Sequence, residues 1–130
     1  MPPPAAAKGP AESTPTLENQ LAQVLDGIRE ANQKKDLAEL LIHYSPNFPQ
    51  LQQRVQQISK AWKIYDYPKM DFEIAEVKTL ADKTAQARVT WNVETQNITT
   101  LKNNTIVRTY VIQFGKESNQ WRIISLQPQE

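Results

Sequence analysis

Thr84-Ala85-Gln86-Ala87-Arg88-Val89-Thr90-Trp91-Asn92-Val93-Glu94 decides the architecture of this chain. Ala85, Ala87, Val89, Trp91 and Val93 alternate without a slip against Gln86, Arg88, Thr90, Asn92 and Glu94. Successive side chains of an extended strand point to opposite faces, so a period of two gives one apolar face and one wet face. A sheet built from such strands is covered on one side only. The cover has to come from elsewhere in the chain, and the N-terminal half supplies it.

Downstream, Ile106, Arg108, Tyr110, Ile112 and Phe114 share one phase, against Val107, Thr109, Val111 and Gln113. Gly115 to Asn119 reads as a hairpin loop, and Gln120 to Leu126 as a last strand. Upstream, Met70, Phe72 and Ile74 share a face, while Ala75, Val77 and Thr79 are out of phase with them, which predicts a bulge near Ile74–Glu76. Ala81-Asp82-Lys83 is a turn, and Asn97 to Asn104 a polar connection.

The first half switches to helical spacing. Thr14-Pro15 is a helix start, followed by a stripe of Leu17, Leu21, Val24, Leu25 and Ile28. Asp36-Leu37-Ala38-Glu39 is a capping box opening a short second helix with Leu37, Leu40 and Leu41 on its buried side. Asn47 is the expected cap of a third helix bearing Leu51, Val55, Ile58, Trp62 and Tyr65, with Arg54 on its wet side and Tyr67-Pro68 at its end. Three helices followed by four antiparallel strands make an α+β fold, with the helices on one face of a curved, mostly antiparallel sheet.

Composition narrows the function classes. The 130 residues suit one domain with one core, and hydrophobic residues make up 39% of them. A net charge of +1 with interspersed signs argues against a nucleic-acid-binding stripe. No apolar run approaches the ~18 residues of a membrane-spanning helix. The absence of cysteine removes disulfides, zinc-thiolate sites and cysteine nucleophiles. The 3 glycines make no phosphate-binding loop. Residues 1–14, rich in Pro and Ala, read as a linker, 15–127 as the domain and 128–130 as a tail.

Several residues are weighed for chemistry. His43, the single histidine, has no partner set for a metal and no orienting group for proton transfer; a helix-end position beside the dipole is the simpler reading. Tyr44, Trp62, Tyr65, Trp91 and Tyr110 are the candidate pocket lining, although the same aromatics could fill a core. Arg88 and Glu94 lie on the wet strand face, and Arg108 is read as their neighbour there. Arg88, Val107, Thr109 and Val111 are the candidate interface, because two valines are more than a fully solvated face requires. No cofactor or metal is expected. Asn97-Ile98-Thr99 and Asn103-Asn104-Thr105 match the glycosylation pattern but are treated as loop residues.

From Leu17 to Leu126 the order of elements resembles the nuclear transport factor 2-like superfamily, a cystatin-like α+β cone. The resemblance is carried by Ile28 to Leu41, by the turn Tyr44-Ser45-Pro46-Asn47-Phe48, and by the closing hairpin Phe114 to Ile123 with its Trp121. Within the superfamily the chain is most similar to accessory domains of bacterial envelope proteins, such as those attached to L,D-transpeptidases behind low-complexity linkers. That likeness implies a non-catalytic interaction or accessory domain on a tether, in the periplasm or cell envelope. The partner would be a protein or a second copy held through the sheet face. The alternative is a small-molecule-binding protein, or an isomerase- or cyclase-like enzyme, using the cone pocket for a small apolar ligand. Relatives of the second kind include ketosteroid isomerase, which needs an inward carboxylate base. Here the inward strand positions hold no Asp or Glu, Asn47 stands where many relatives carry an acid, and the hairpin between the second and third helices is shortened to Ser45–Gln50. All three features lean against an enzyme.

Overall fold

The computed structural model describes residues 16–129; the expected linker and the Thr14–Pro15 helix start lie outside them. Among the described residues the order is α1 (Leu17–Lys34), α2 (Leu37–Leu41), α3 (Leu51–Ile64), β1 (Tyr65–Ala81), β2 (Thr84–Asn97), β3 (Asn103–Glu117) and β4 (Gln120–Gln129). The strands form one antiparallel meander in the order β1-β2-β3-β4. This is the predicted α+β architecture, with a single parallel bridge, Tyr44 to Ile123, added at the sheet's end.

Local chemistry fixes the helix ends. Thr16 caps α1, its Oγ1 accepting from the Asn19 N–H at 3.1 Å. The helix stops where Lys35 turns left-handed (φ 58°) and the Asp36 N–H reaches back to the Ala31 carbonyl at 2.8 Å. Asp36 then caps α2, accepting from the Glu39 N–H at 3.2 Å, as the capping box predicts. The cap expected at Asn47 is not there. α3 opens at Gln50, which is left-handed (φ 57°) and makes no side-chain cap, and the Asn47 N–H donates to Ser45 Oγ instead.

The strands run longer than the sequence pattern marks. β1 begins at Tyr65 directly after α3, so Tyr67-Pro68 lies inside the strand rather than ending the helix. Pro68 falls in the register break between Asp66 and Lys69, where an edge strand tolerates a missing donor. The predicted bulge is present, with Glu76 left-handed (φ 53°) between Ala75 and Lys78. β3 continues through Gly115 to Glu117, leaving a two-residue turn, Ser118-Asn119, with both φ positive (51° and 65°). Two left-handed residues match the right-handed twist of a hairpin, which is why the loop is that short. β4 extends past Leu126 to Gln129.

α1 lies across the inner face of the sheet. Near its start, Trp121 Nε1 donates to Gln20 Oε1 at 2.8 Å; near its end, Lys35 Nζ meets Asp66 at 2.7 Å and Gln33 Nε2 donates to the Tyr67 carbonyl. Leu21, Leu25, Ile28 and Ala31 form its buried stripe. They share one core with Leu40, Ala85, Ala87, Val89, Ile112, Phe114 and Ile123. Fully burying a large aliphatic or aromatic side chain stabilises by roughly 1.5–3 kcal/mol, so this cluster dominates the fold. The inner face of β2 is the apolar face read from the sequence, and Trp91 is on it.

Candidate functional site

Beyond Ala85, Ala87 and Val89, each fully buried, the inner side chains of β2 become only half-buried at Trp91 and Val93. There the helices and the sheet part to leave an open cavity of about 330 Å³. α1 contributes Leu25, Ile28 and Asn32, and α3 contributes Arg54, Ile58 and Ala61. The sheet brings Tyr65, Tyr67 and Met70 from β1, Trp91, Val93 and Thr95 from β2, and Ile106, Arg108, Tyr110 and Ile112 from β3. Asn104, Ile123, Leu126 and Tyr44 complete the wall. Trp91 also packs against Phe72, ring centroids 5.3 Å apart.

Of the candidate pocket residues, Tyr44, Tyr65, Trp91 and Tyr110 sit in this wall. Trp62 does not: it is buried behind it, its Nε1 donating to Asn32 Oδ1 at 3.0 Å while Asn32 Nδ2 donates to the Ile28 carbonyl. The sequence reading misses five polar members of the wall besides the tyrosines: Asn32, Arg54, Thr95, Asn104 and Arg108. Arg54 was placed on the wet side of α3, yet the broad inner face of that helix includes it. Asn32 sits one turn beyond Ile28 on the stripe of α1 and carried no apolar signal. Arg108 was read as outward beside Arg88, but it pairs with Trp91 and faces inward. The alternation with Tyr110 and Ile112 already carried that signal.

The lining holds two guanidinium groups and no carboxylate or histidine. Among the described residues neither Arg54 nor Arg108 has a carboxylate partner; Arg54 Nε donates to Tyr44 Oη at 3.4 Å, and Arg108 Nη1 to the Val107 carbonyl at 3.2 Å. Tyr67 is held above the ordinary phenol range by burial, reinforced by neighbouring Tyr65, so it remains an O–H group. Such a site can hold and orient a ligand. It offers no side chain suited to abstract a proton near neutral pH.

His43 lies outside this cavity. Its ring rests on α1 at Gly27, where an added Cβ would sit 2.0 Å from Nε2. Glycine is therefore a matter of space here. The His43 backbone carbonyl accepts from the Ile123 N–H at 2.9 Å. Ser45, fully buried, donates to Glu117 Oε2 at 2.8 Å, and Arg122 approaches the same carboxylate at 3.8 Å. A serine whose proton goes to a carboxylate, with no hydrogen bond to the imidazole, is a structural clasp holding the turn after α2 to the β3–β4 hairpin. Among the described residues no cluster of ligands could hold a metal ion.

The candidate interface residues lie together on the outer face. Arg88, Thr90 and Asn92 pair with Val111, Thr109 and Val107. Thr90 Oγ1 and Thr109 Oγ1 are 3.0 Å apart, Arg88 forms an ion pair with Glu76, and Val107 is 53% exposed. No described helix is long and apolar enough to cross a membrane.

A fold of three helices on a four-stranded meander, with a cone-shaped opening between them, is that of the nuclear transport factor 2-like proteins. The chain belongs to the family described as the anti-sigma-I factor RsgI9, C-terminal domain, which it matches over residues 23–130. Among solved structures it is similar to a ketosteroid isomerase-like protein from Erwinia carotovora atroseptica, at 13% identity and a TM-score of 0.69, covering 83% of this chain and 91% of that one. It is also similar to a nuclear transport factor 2-like protein from Prochlorococcus (12% identity, TM-score 0.71, 89% and 94% covered). A third is a calcium/calmodulin-dependent protein kinase II association-type domain from Xanthomonas campestris (16% identity, TM-score 0.66, 88% and 87% covered). At these identities the likeness is one of fold. No curated protein sequence matches the chain.

Burial pushes the His43 imidazole below its ordinary value of 6.5, Glu39 opposing the shift and Arg122 adding to it. The unfolded chain therefore takes up this proton first on acidification. The neutral ring's contribution is intact above about pH 6.5 and is lost as pH falls through the folded value. Urea unfolding at about pH 7.5 and about pH 5 should show a larger drop in midpoint for the wild type than for His43→Gln. Equal drops would mean the ring is not desolvated.

Proposed function

We propose that this chain is a non-catalytic binding module, an accessory C-terminal domain of an anti-sigma-factor chain, whose cone holds a small ligand with an apolar body. One observation carries the reading: an open cavity of about 330 Å³ walled by aromatic and aliphatic side chains, with no carboxylate or histidine in the wall. Pockets of ~300–1,000 Å³ with such linings are the usual form of small-molecule sites. An isomerase of this fold would need an inward carboxylate base, and the positions that could provide one are Trp91, Val93, Ile106 and Tyr110. The family supports the accessory role, since its description is of one domain of an anti-sigma factor.

The test is uptake of a small neutral apolar fluorescent dye such as 2-methoxynaphthalene, read by its fluorescence. The wild type should bind it saturably. Ile106→Trp, which fills the cavity, should abolish uptake while keeping a cooperative thermal transition. Absence of saturable uptake by the wild type would remove the binding reading.

A second reading concerns a protein partner. Val107 is 53% exposed, and around it Thr90, Thr109 and Val111 make an uncharged stretch of the outer sheet face. That composition fits contact with another protein, either a second copy or a different chain. If the partner is a second copy, the wild type sediments as a dimer and Val107→Glu as a monomer. A wild type that is monomeric at about 100 µM, far above the micromolar range of ordinary association, leaves only a different chain.

The Pro/Ala-rich leader over Met1–Thr14 supports placing the domain at a bacterial cell envelope, held on a tether. Fractionation of the native protein settles this: recovery wholly in the cytosol would exclude that placement.

A further inference from the structure

The lining of the cone carries charge of one sign only. Arg54 and Arg108 are both in the wall, no carboxylate is, and neither arginine has an acidic partner among the described residues. Guanidinium groups stay protonated at any physiological pH. Two uncompensated positive charges beside an apolar wall give a focused positive potential, stronger there than in open water. The two are not equivalent. Arg54 is half-buried and steadied through its Nε by Tyr44 Oη at 3.4 Å, while its Nη groups make no hydrogen bond to the described residues. Arg108 is exposed and on the strand rung opposite Trp91.

We propose that the ligand of this pocket is a small amphiphilic acid, its carboxylate held by the Nη groups of Arg54 and its apolar body lying among Trp91, Ile58, Ile106 and Ile112. This rests on the reading of the cone as a binding pocket. A cavity of about 330 Å³ is at the small end of the ~300–1,000 Å³ range of small-molecule sites, which suits a ligand with a short apolar body. A carboxylate suits the site better than a phosphate monoester. It brings one charge to one half-buried guanidinium and can be gripped by two parallel N–H···O bonds. A phosphate, at about −1.5 to −2, would bring more charge into an apolar recess than Arg54 alone offsets. The exposed Arg108 attracts the acid to the mouth, an effect that salt screens.

The test compares octanoate, octanamide and octyl phosphate by calorimetry and tryptophan fluorescence on the wild type, Arg54→Met, Arg54→Lys and Arg108→Met. Octanoate should bind the wild type about tenfold or more tightly than octanamide, the usual margin for a charge-assisted hydrogen bond over a neutral one. Arg54→Met should erase that preference while still binding octanamide, which shows the pocket intact; Arg54→Lys should restore part of it. Arg108→Met should keep the preference and weaken the salt dependence of association. Equal wild-type affinity for octanoate and octanamide overturns the carboxylate proposal and leaves the binding module standing. So does an undiminished acid preference in Arg54→Met, or tighter binding of octyl phosphate. If neither octanoate nor octanamide binds, and the neutral dye is not taken up, the binding reading falls as well.

Discussion

A straight helix cannot follow a twisted sheet along its whole length. α1 runs diagonally over the inner face, from Trp121 at the β3–β4 hairpin to Asp66 and Tyr67 at the start of β1. Close approach is possible where the sheet presents Ala85 and Ala87, and there Leu21 and Leu25 are fully buried. Toward Trp91, Val93 and Thr95 the two surfaces separate, and the second layer is completed by α3 instead. The cavity is what remains between a straight element and a curved one. The exposed pair between Lys35 and Asp66 adds little to stability by itself, since surface ion pairs are worth about 0–1 kcal/mol. It joins the far end of α1 to β1.

The period-two and period-3.6 patterns were legible because burial on one face writes them directly into the sequence. Trp91 inward and the slip of phase at Glu76 came from that source, and the cap at Asp36 from its own side-chain chemistry. Element ends were less legible. A left-handed residue is announced by glycine or asparagine, yet here Lys35 and Gln50 take that conformation, and only tertiary packing makes it affordable. Pro68 looked like a stop because an interior strand cannot hold it; β1 is an edge strand and can. Part of the pocket wall was legible as aromatic positions. Arg54 and Asn32 were not, because a polar residue at the border of an apolar stripe gives the same pattern whether it meets solvent or a cavity; Arg108 was legible in its alternation with Tyr110 and Ile112. Trp62 shows the converse: its spacing was right for the inside, and its indole N–H was claimed by Asn32 behind the wall.

The arrangement of polar groups separates holding from turnover. Outside the cone, the titratable group shifted by its surroundings is engaged in structure. His43 is pressed on Gly27 and kept neutral by burial; Ser45 donates to Glu117, and Arg122 approaches the same carboxylate while its buried Nε has no hydrogen-bond partner among the described residues. Inside the cone the charges are guanidinium groups, which neither give nor take protons in this pH range. A fold shared with isomerase-like proteins thus keeps the cone while its chemistry depends on side chains the backbone does not dictate.

The period of two that built the sheet also joins its two surfaces. Val89, Trp91 and Val93 face the cavity side, and Arg88, Thr90 and Asn92, the residues between and beside them, face outward. Thr90 touches Thr109 across the strands, and Thr109 is covalently next to both Arg108 and Tyr110 in the wall. One pair of central strands therefore carries the pocket on one side and the candidate interface on the other, within the thickness of a single sheet. A ligand can bias an equilibrium at the outer face only through contacts that differ between two states of those strands. The half-buried Trp91, packed on Phe72 of the edge strand rather than locked in the alanine-lined end, is the wall residue with room to make such a difference.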